Sequence, residues 1–328
     1  MITVKNLSFS YTNRPFIENM SFEVKKGEIF GFLGPSGAGK STLQKILTGL
    51  LTNYKGSVKV NGIEVKNHNN SIYEEIGVDF EFPSLYEKLT ARENLRFFAS
   101  LYKKSLNADE LLKSVGLLQD ADKRVSDFSK GMKSRLNFIK ALIHDPKILF
   151  LDEPTLGLDP SNARRMKDII LKQKAMGKTI VLTTHNMYDA TELCDRVAFI
   201  VDGRLQALDT PRNLIMAKGA STILYTYLQD GKEKQSEVAI NRTAEDELLQ
   251  KLLNENRLLS IHSSEPTLNE IFVEITGRRL QREYGLFCAV ISESSTNMGF
   301  TSFICFFQFY ISPCFLHFLK HGEKKRQS

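Results

Sequence analysis

The sequence predicts an α/β fold: a mixed sheet around a phosphate-binding loop, interrupted by a helical insertion and followed by a small α+β segment. Three observations predict it. Gly34-Pro35-Ser36-Gly37-Ala38-Gly39-Lys40-Ser41 spells a Gly, four free positions, then Gly-Lys-Ser, and it lies between a strand-like run at 28–33 and a helix-like run at 43–51. Residues 148–151 and 179–183 are short apolar runs without alternation, each after a helix-like stretch, as in buried parallel strands. Between them and the loop, residues 83–144 carry helical spacing, with Leu95, Phe98, Ala99 and Tyr102 in one stripe and Leu111, Leu112 and Val115 in the next.

In chain order, residues 2–11 and 16–24 alternate like two strands about a turn at Thr12-Asn13-Arg14-Pro15, with Tyr11 ending the first. Glycines of the loop let the backbone turn its N–H groups toward phosphate oxygens at a helix N-terminus, whose partial positive charge favours anions. Lys40 supplies a flexible cation for the outer phosphates, and the Ser41 hydroxyl a ligand for a bridging Mg²⁺. Residues 55–65 read as strand with a turn at Asn61-Gly62, and 76–80 as a further short strand. Asp152-Glu153 closes the apolar run 148–151, placing two carboxylates at the carboxyl edge of a sheet, where open α/β folds bind ligands. The first suits Mg²⁺; the second suits a general base acting on water. His185 follows the run 180–184, on a strand expected beside that one and sharing its ligand edge. Ser129-Lys130-Gly131-Met132 precedes a helix at 133–143 and offers a second anion site at a helix N-terminus. One chain then carries two anion sites, which a dimer or a second such unit would bring together.

Bulk properties narrow the class. The 328 residues exceed one typical domain, and 42% hydrophobic with 25% charged is ordinary globular composition. Forty-four Lys and Arg against 38 Asp and Glu leave +6, spread without a long basic block before the C-terminus, which does not argue for nucleic acid. The first nine residues alternate like a strand and lack a signal-peptide pattern, so retention in the cytosol is expected. Cys194, Cys288, Cys305 and Cys314 lack the spacing of a zinc site or redox pair.

Taken together, these motifs resemble the ATP-binding cassette (ABC) ATPases of membrane transporters, over residues 2–208. Residues 34–41 match Walker A, with Thr42 following. Phe128-Ser129-Lys130-Gly131-Met132 matches the family signature, 148–153 the Walker B strand with its Glu, Gly157-Leu158-Asp159-Pro160 the D-loop, and His185 the switch histidine. The resemblance implies a P-loop NTPase cassette that pairs head to tail with a second cassette and clasps two ATP molecules. It further implies that Tyr11 stacks on adenine and that Ser129 and Gly131 reach the γ-phosphate across the interface. Glu153 would polarise the attacking water, and His185 would stabilise transition-state charge. Two positions depart from the pattern: Glu81 replaces the Q-loop Gln, putting a carboxylate near the metal and phosphates, and Lys130 replaces a signature Gly.

The expected division is a cassette at 1–210 with its helical subdomain at about 83–145, an accessory unit at 211–280 and a Phe-rich tail at 281–328. The accessory unit reads as a hairpin about Asp230-Gly231, a helix at 245–254, a strand at 258–262 and a helix opened by a Thr267/Glu270 capping box. Its ending resembles cassettes of drug, lipid or polysaccharide exporters with a separate transmembrane permease. That implies a peripheral subunit at the cytoplasmic face of the cell membrane. A soluble non-transport ABC ATPase and a catalytically weak regulatory cassette are the alternatives. In the tail, residues 300–319 have the length of a bilayer span but are interrupted by Gln308, Pro313 and His317. A membrane anchor, a docking segment and an unstructured or aberrantly translated extension are its three readings.

Overall fold

The computed structural model describes residues 1–67, 72–217, 222–264 and 266–277. The tail at 281–328, with Cys288, Cys305 and Cys314, lies outside the described residues.

The chain opens with strands β1 (Ile2–Phe9), β2 (Ile17–Val24) and β3 (Ile29–Leu33), then helix α1 (Lys40–Leu47). Strands β4 (Lys55–Val60) and β5 (Ile63–Glu64), the short α2 (Ile72–Glu75) and β6 (Ile76–Asp79) follow. The insertion contributes α3 (Ala91–Ala99), α4 (Ala108–Ser114) and α5 (Lys130–Leu142). After it come β7 (Ile148–Asp152), α6 (Pro160–Ala175), β8 (Thr179–Thr184), α7 (Met187–Leu193), β9 (Arg196–Val201), β10 (Arg204–Asp209) and α8 (Pro211–Met216). The last part holds β11 (Thr222–Gln229), β12 (Lys232–Ala239), α9 (Glu247–Asn254), β13 (Leu258–Ser264) and α10 (Leu268–Thr276).

Six strands form the central sheet in the order β10-β9-β3-β8-β7-β6, parallel except for the β9–β10 hairpin. Strands β3, β7 and β8 are buried along their whole length, which explains their unbroken apolar sequences. Alternate side chains serve two cores. Ile29, Leu33, Leu149, Leu151, Ile180 and Leu182 face the helical insertion and α6. Phe30, Phe32, Ile148, Phe150 and Val181 face the other way, against α1 and a second, antiparallel sheet of order β2-β1-β4-β5. Each buried Phe or Leu contributes about 1.5–3 kcal/mol to holding these layers together.

Several elements differ from their sequence reading. Helix α1 starts at Lys40, three residues earlier than apolar periodicity places it, because Gly39 takes φ +107° and turns the chain directly into the helix. Helix α5 starts at Lys130, not 133, because the Ser129 side chain caps it by accepting from the Met132 N–H. Strand β1 stops at Phe9, leaving Tyr11 in a bend. In the final part, β12-β11-β13 form a separate sheet whose small core is Tyr225, Tyr227, Leu249 and Leu252. Helix α10 leaves it: Leu268, Ile271 and Phe272 join the main core, Phe272 meeting Phe199 of β9 edge to face at 5.1 Å. The capping box of Thr267 and Glu270 is present. Among the described residues no helix is long and apolar enough to cross a membrane.

At the junction of α5 and β6, His144 is buried, bonds the Ile76 carbonyl through Nε2 (2.9 Å) and stacks on Tyr102 at 3.8 Å. Burial holds its pKa below the ordinary value, against the pull of the Ile76 carbonyl. The unfolded chain, with a histidine pKa of about 6.5, therefore takes up a proton that the folded chain refuses, and stability falls as pH drops below about 6.5. Urea unfolding of the parent and of His144→Phe between pH 7.5 and 5 is expected to show a smaller loss of stability on acidification in the variant.

Candidate functional site

The carboxyl ends of β3, β7 and β8 and the start of α1 meet at one cleft. It has a volume of about 690 Å³ including its solvent-open mouth and is lined by the loop residues Ser36, Gly37, Gly39, Lys40, Ser41 and Thr42 on one side. Glu81, Asp152, Glu153 and His185 face them, with Phe16 and Leu156 completing the wall.

Each wall has a local cause. Gly34 leaves β3 beneath β9, and a Cβ there would come within 2.2 Å of the Ile200 carbonyl. Gly37 takes φ +80°, and a Cβ there would meet nothing within 4 Å, so the loop's inner surface is open. Lys40 Nζ donates to the carbonyls of Gly34 (2.7 Å) and Pro35 (3.1 Å), while Ala38 is buried under the loop. Burial lowers the Lys40 pKa; the charges of Glu153, Asp152 and Glu81 oppose the shift. Three carboxylates thus act on one ammonium.

Asp152 is buried and bonded by the Thr183 hydroxyl of the neighbouring strand and by Ser41. Burial raises its pKa, against those two hydrogen bonds. Glu153 takes φ +50°, a left-handed conformation uncommon for a side chain of its size, while its N–H bonds the Thr183 carbonyl at 3.0 Å. From there its Oε1 meets His185 Nδ1 at 2.8 Å. The parallel pairing of β7 with β8 makes this contact possible, since Asp152 lies beside Thr183 and both strands end at the same level.

Tyr11 lies just outside the lining, 57% exposed, with its hydroxyl 3.0 Å from Thr42 Oγ1 and its ring edge-on to Phe9 and Phe16. Ser129, Gly131 and Asp159 do not line the cleft. Gly131 packs beside Leu158, so the signature turn and the 157–160 turn adjoin each other. The Asp159 carboxylate caps α6, accepting from the Asn162 N–H at 3.0 Å, and this bonding with Asn162 holds its pKa below the usual carboxylate range. Phe16 and Leu156 escaped the sequence reading. The first looks like an ordinary strand residue, the second like turn filler, and only the fold brings them to the loop.

Removing the ammonium should matter most for an anion. Lys40→Ala is expected to weaken binding of a fluorescent nucleoside triphosphate about 10- to 100-fold, the scale of lost charge-assisted hydrogen bonds.

A family model described as ABC transporter matches residues 17–156. A fluoroquinolones export ATP-binding protein of Mycobacterium tuberculosis is 50% identical over 285 residues, 85% of this chain and 94% of that protein. A Nod factor export ATP-binding protein of Rhizobium meliloti is 35% identical over 298 residues, 85% and 89% of the two chains. Among solved structures, a dimeric ATP-binding cassette in a post-hydrolysis state with ADP and Pi is similar at a TM-score of 0.59 and 26% identity, covering 64% of this chain and 98% of that one. Identity on this scale over most of both chains, joined to a phosphate loop, a strand-end carboxylate pair and a histidine in one cleft, makes the protein a member of the ABC transporter family, an ATP-binding cassette with ATPase activity.

Proposed function

We propose that this chain powers export through a separate transmembrane permease, working as one of a pair of cassettes at the cytoplasmic face of the cell membrane. The Glu153–His185 contact, facing Lys40, Ser41 and Asp152 across one cleft, carries the catalytic part of this reading. ATP would lie with its phosphates on the loop N–H groups. Lys40 exchanges the Gly34 and Pro35 carbonyls for phosphate oxygens, and Tyr11, steadied by Thr42, stacks on the adenine. Glu153 takes a proton from the attacking water, and His185, oriented by Glu153, offsets charge developing on the γ-phosphate.

Ser41 and Asp152 form a hydrogen-bonded pair of oxygen donors, with Glu81 in the same cleft, a donor set that suits a hard cation. Among the described residues no cluster of three or more His, Cys, Asp or Glu side chains could hold a metal alone. Mg²⁺ fits such a site when triphosphate oxygens complete its coordination, and there it would neutralise phosphate charge.

Placement supports pairing. Ser129 and Gly131 lie at the start of α5, outside this chain's own cleft, and would complete the site of a second cassette. Export rests on the relatives, two of which are named for export of fluoroquinolones and of Nod factor. Cargo of drug, lipid or polysaccharide type is consistent with them. We read 1–210 as the cassette and 211–280 as an accessory unit tied back to it by α10.

Glu153→Gln keeps the shape of the side chain and removes the base. Phosphate release from Mg-ATP is expected to fall about 100-fold or more, with nucleotide affinity within about threefold of the parent. Unchanged release would refute the catalytic assignment. Co-purification of the full chain with a multi-span membrane protein tests the permease, and copurifying nucleic acid would count against it.

A further inference from the structure

Residues 79–84 carry Glu81 from the end of β6 into the cleft, and no regular secondary structure holds residues 80–83. Phe82, next to Glu81, is 71% exposed, so its side chain adds little packing to this stretch. Two side chains of α5 bond to it. Asn137 Nδ2 donates to the Asp79 carboxylate and to the Phe80 carbonyl at 3.2 Å. Lys140 Nζ donates to the Ser84 hydroxyl at 2.8 Å and to the Ser84 carbonyl at 3.2 Å. The two residues are one turn apart and share a helix face.

The same helix is capped by Ser129, so the stretch that carries Glu81 and the signature turn are attached to one rigid element. Gly77 brings β6 still closer, since a Cβ there would fall 2.1 Å from the Ala141 carbonyl of α5. Asp79 and Asn137 are both buried, and Asn137 Oδ1 has no hydrogen-bond partner. Packing alone does not call for this pair, because two apolar side chains would fill the space without the cost of burying a carboxylate and an amide.

We propose that Asn137, with Asp79 and Lys140, is a positioning set that fixes Glu81 of a chain's own cleft relative to the signature turn it lends to a second cassette. The proposal rests on the reading that Glu81 and Ser129–Gly131 both serve nucleotide. None of the three residues touches the reacting atoms. They set the register between the two half-sites one chain supplies.

The test uses the full chain with saturating Mg-ATP. Asn137→Ala is expected to lower kcat about tenfold while KM for ATP stays within about twofold, because the loop contacts that hold nucleotide are untouched. That variant strands a buried carboxylate, so its loss could also come from unfolding. Asp79→Val combined with Asn137→Ala removes the buried carboxylate together with its amide partner and is expected to hold a Tm above that of the single variant, yet to turn over as slowly. Lys140→Arg should retain kcat and Lys140→Met should lower it. Parental kcat in the folded double variant, or a loss carried by KM, would reduce the contact to packing and overturn the proposal. Hydrolysis by the parent chain reports on the catalytic reading by itself; only variant-to-parent ratios report on the positioning set.

Discussion

The structure depends on one electrostatic balance, that of the Lys40 ammonium against the carboxylates of Asp152, Glu153 and Glu81. Burial alone would favour loss of the lysine proton and would disfavour the ionised form of Asp152 beside it. Lys40 and Asp152 tolerate the interior because the charge of each offsets part of the desolvation of the other, while Glu153 and Glu81 add to the field on the ammonium. The arrangement also leaves Lys40 bonded to the carbonyls of its own loop.

That balance is available because the sheet puts three separate chain segments on one level. Parallel pairing brings Leu33, Asp152 and Thr184 to the same edge, and the burial of β3, β7 and β8 on both faces fixes the register. A slip of one residue would exchange the Phe30–Phe32 face for the Ile29–Leu33 face and turn Asp152 away from Thr183. Core packing and site geometry are the same constraint seen from two sides.

Much of this is legible in the sequence. The phosphate loop shows itself because its glycines and Lys40 are consecutive, and β7 and β8 because burial on both faces leaves unbroken apolar runs. The start of α5 is not legible, since Lys130-Gly131-Met132 lacks apolar periodicity and Gly131 disfavours helix; the cap from Ser129 decides it. Tyr11 reads as the end of a strand, but its bond to Thr42 depends on the loop folding beneath it. Contacts such as Asp79 with Asn137, and the approach of Phe16 to Gly39, join positions far apart in the chain, and no local pattern marks them.

Helix α10 gives this architecture an order in time. Phe272 closes on Phe199, and the next residue of β9, Ile200, supplies the carbonyl that lies over Gly34. The backing of the first functional loop is therefore completed by nearly the last described turn of the protein. During synthesis from the N-terminus, the loop emerges more than two hundred residues before that support does, so nucleotide affinity is expected to mature late on the ribosome.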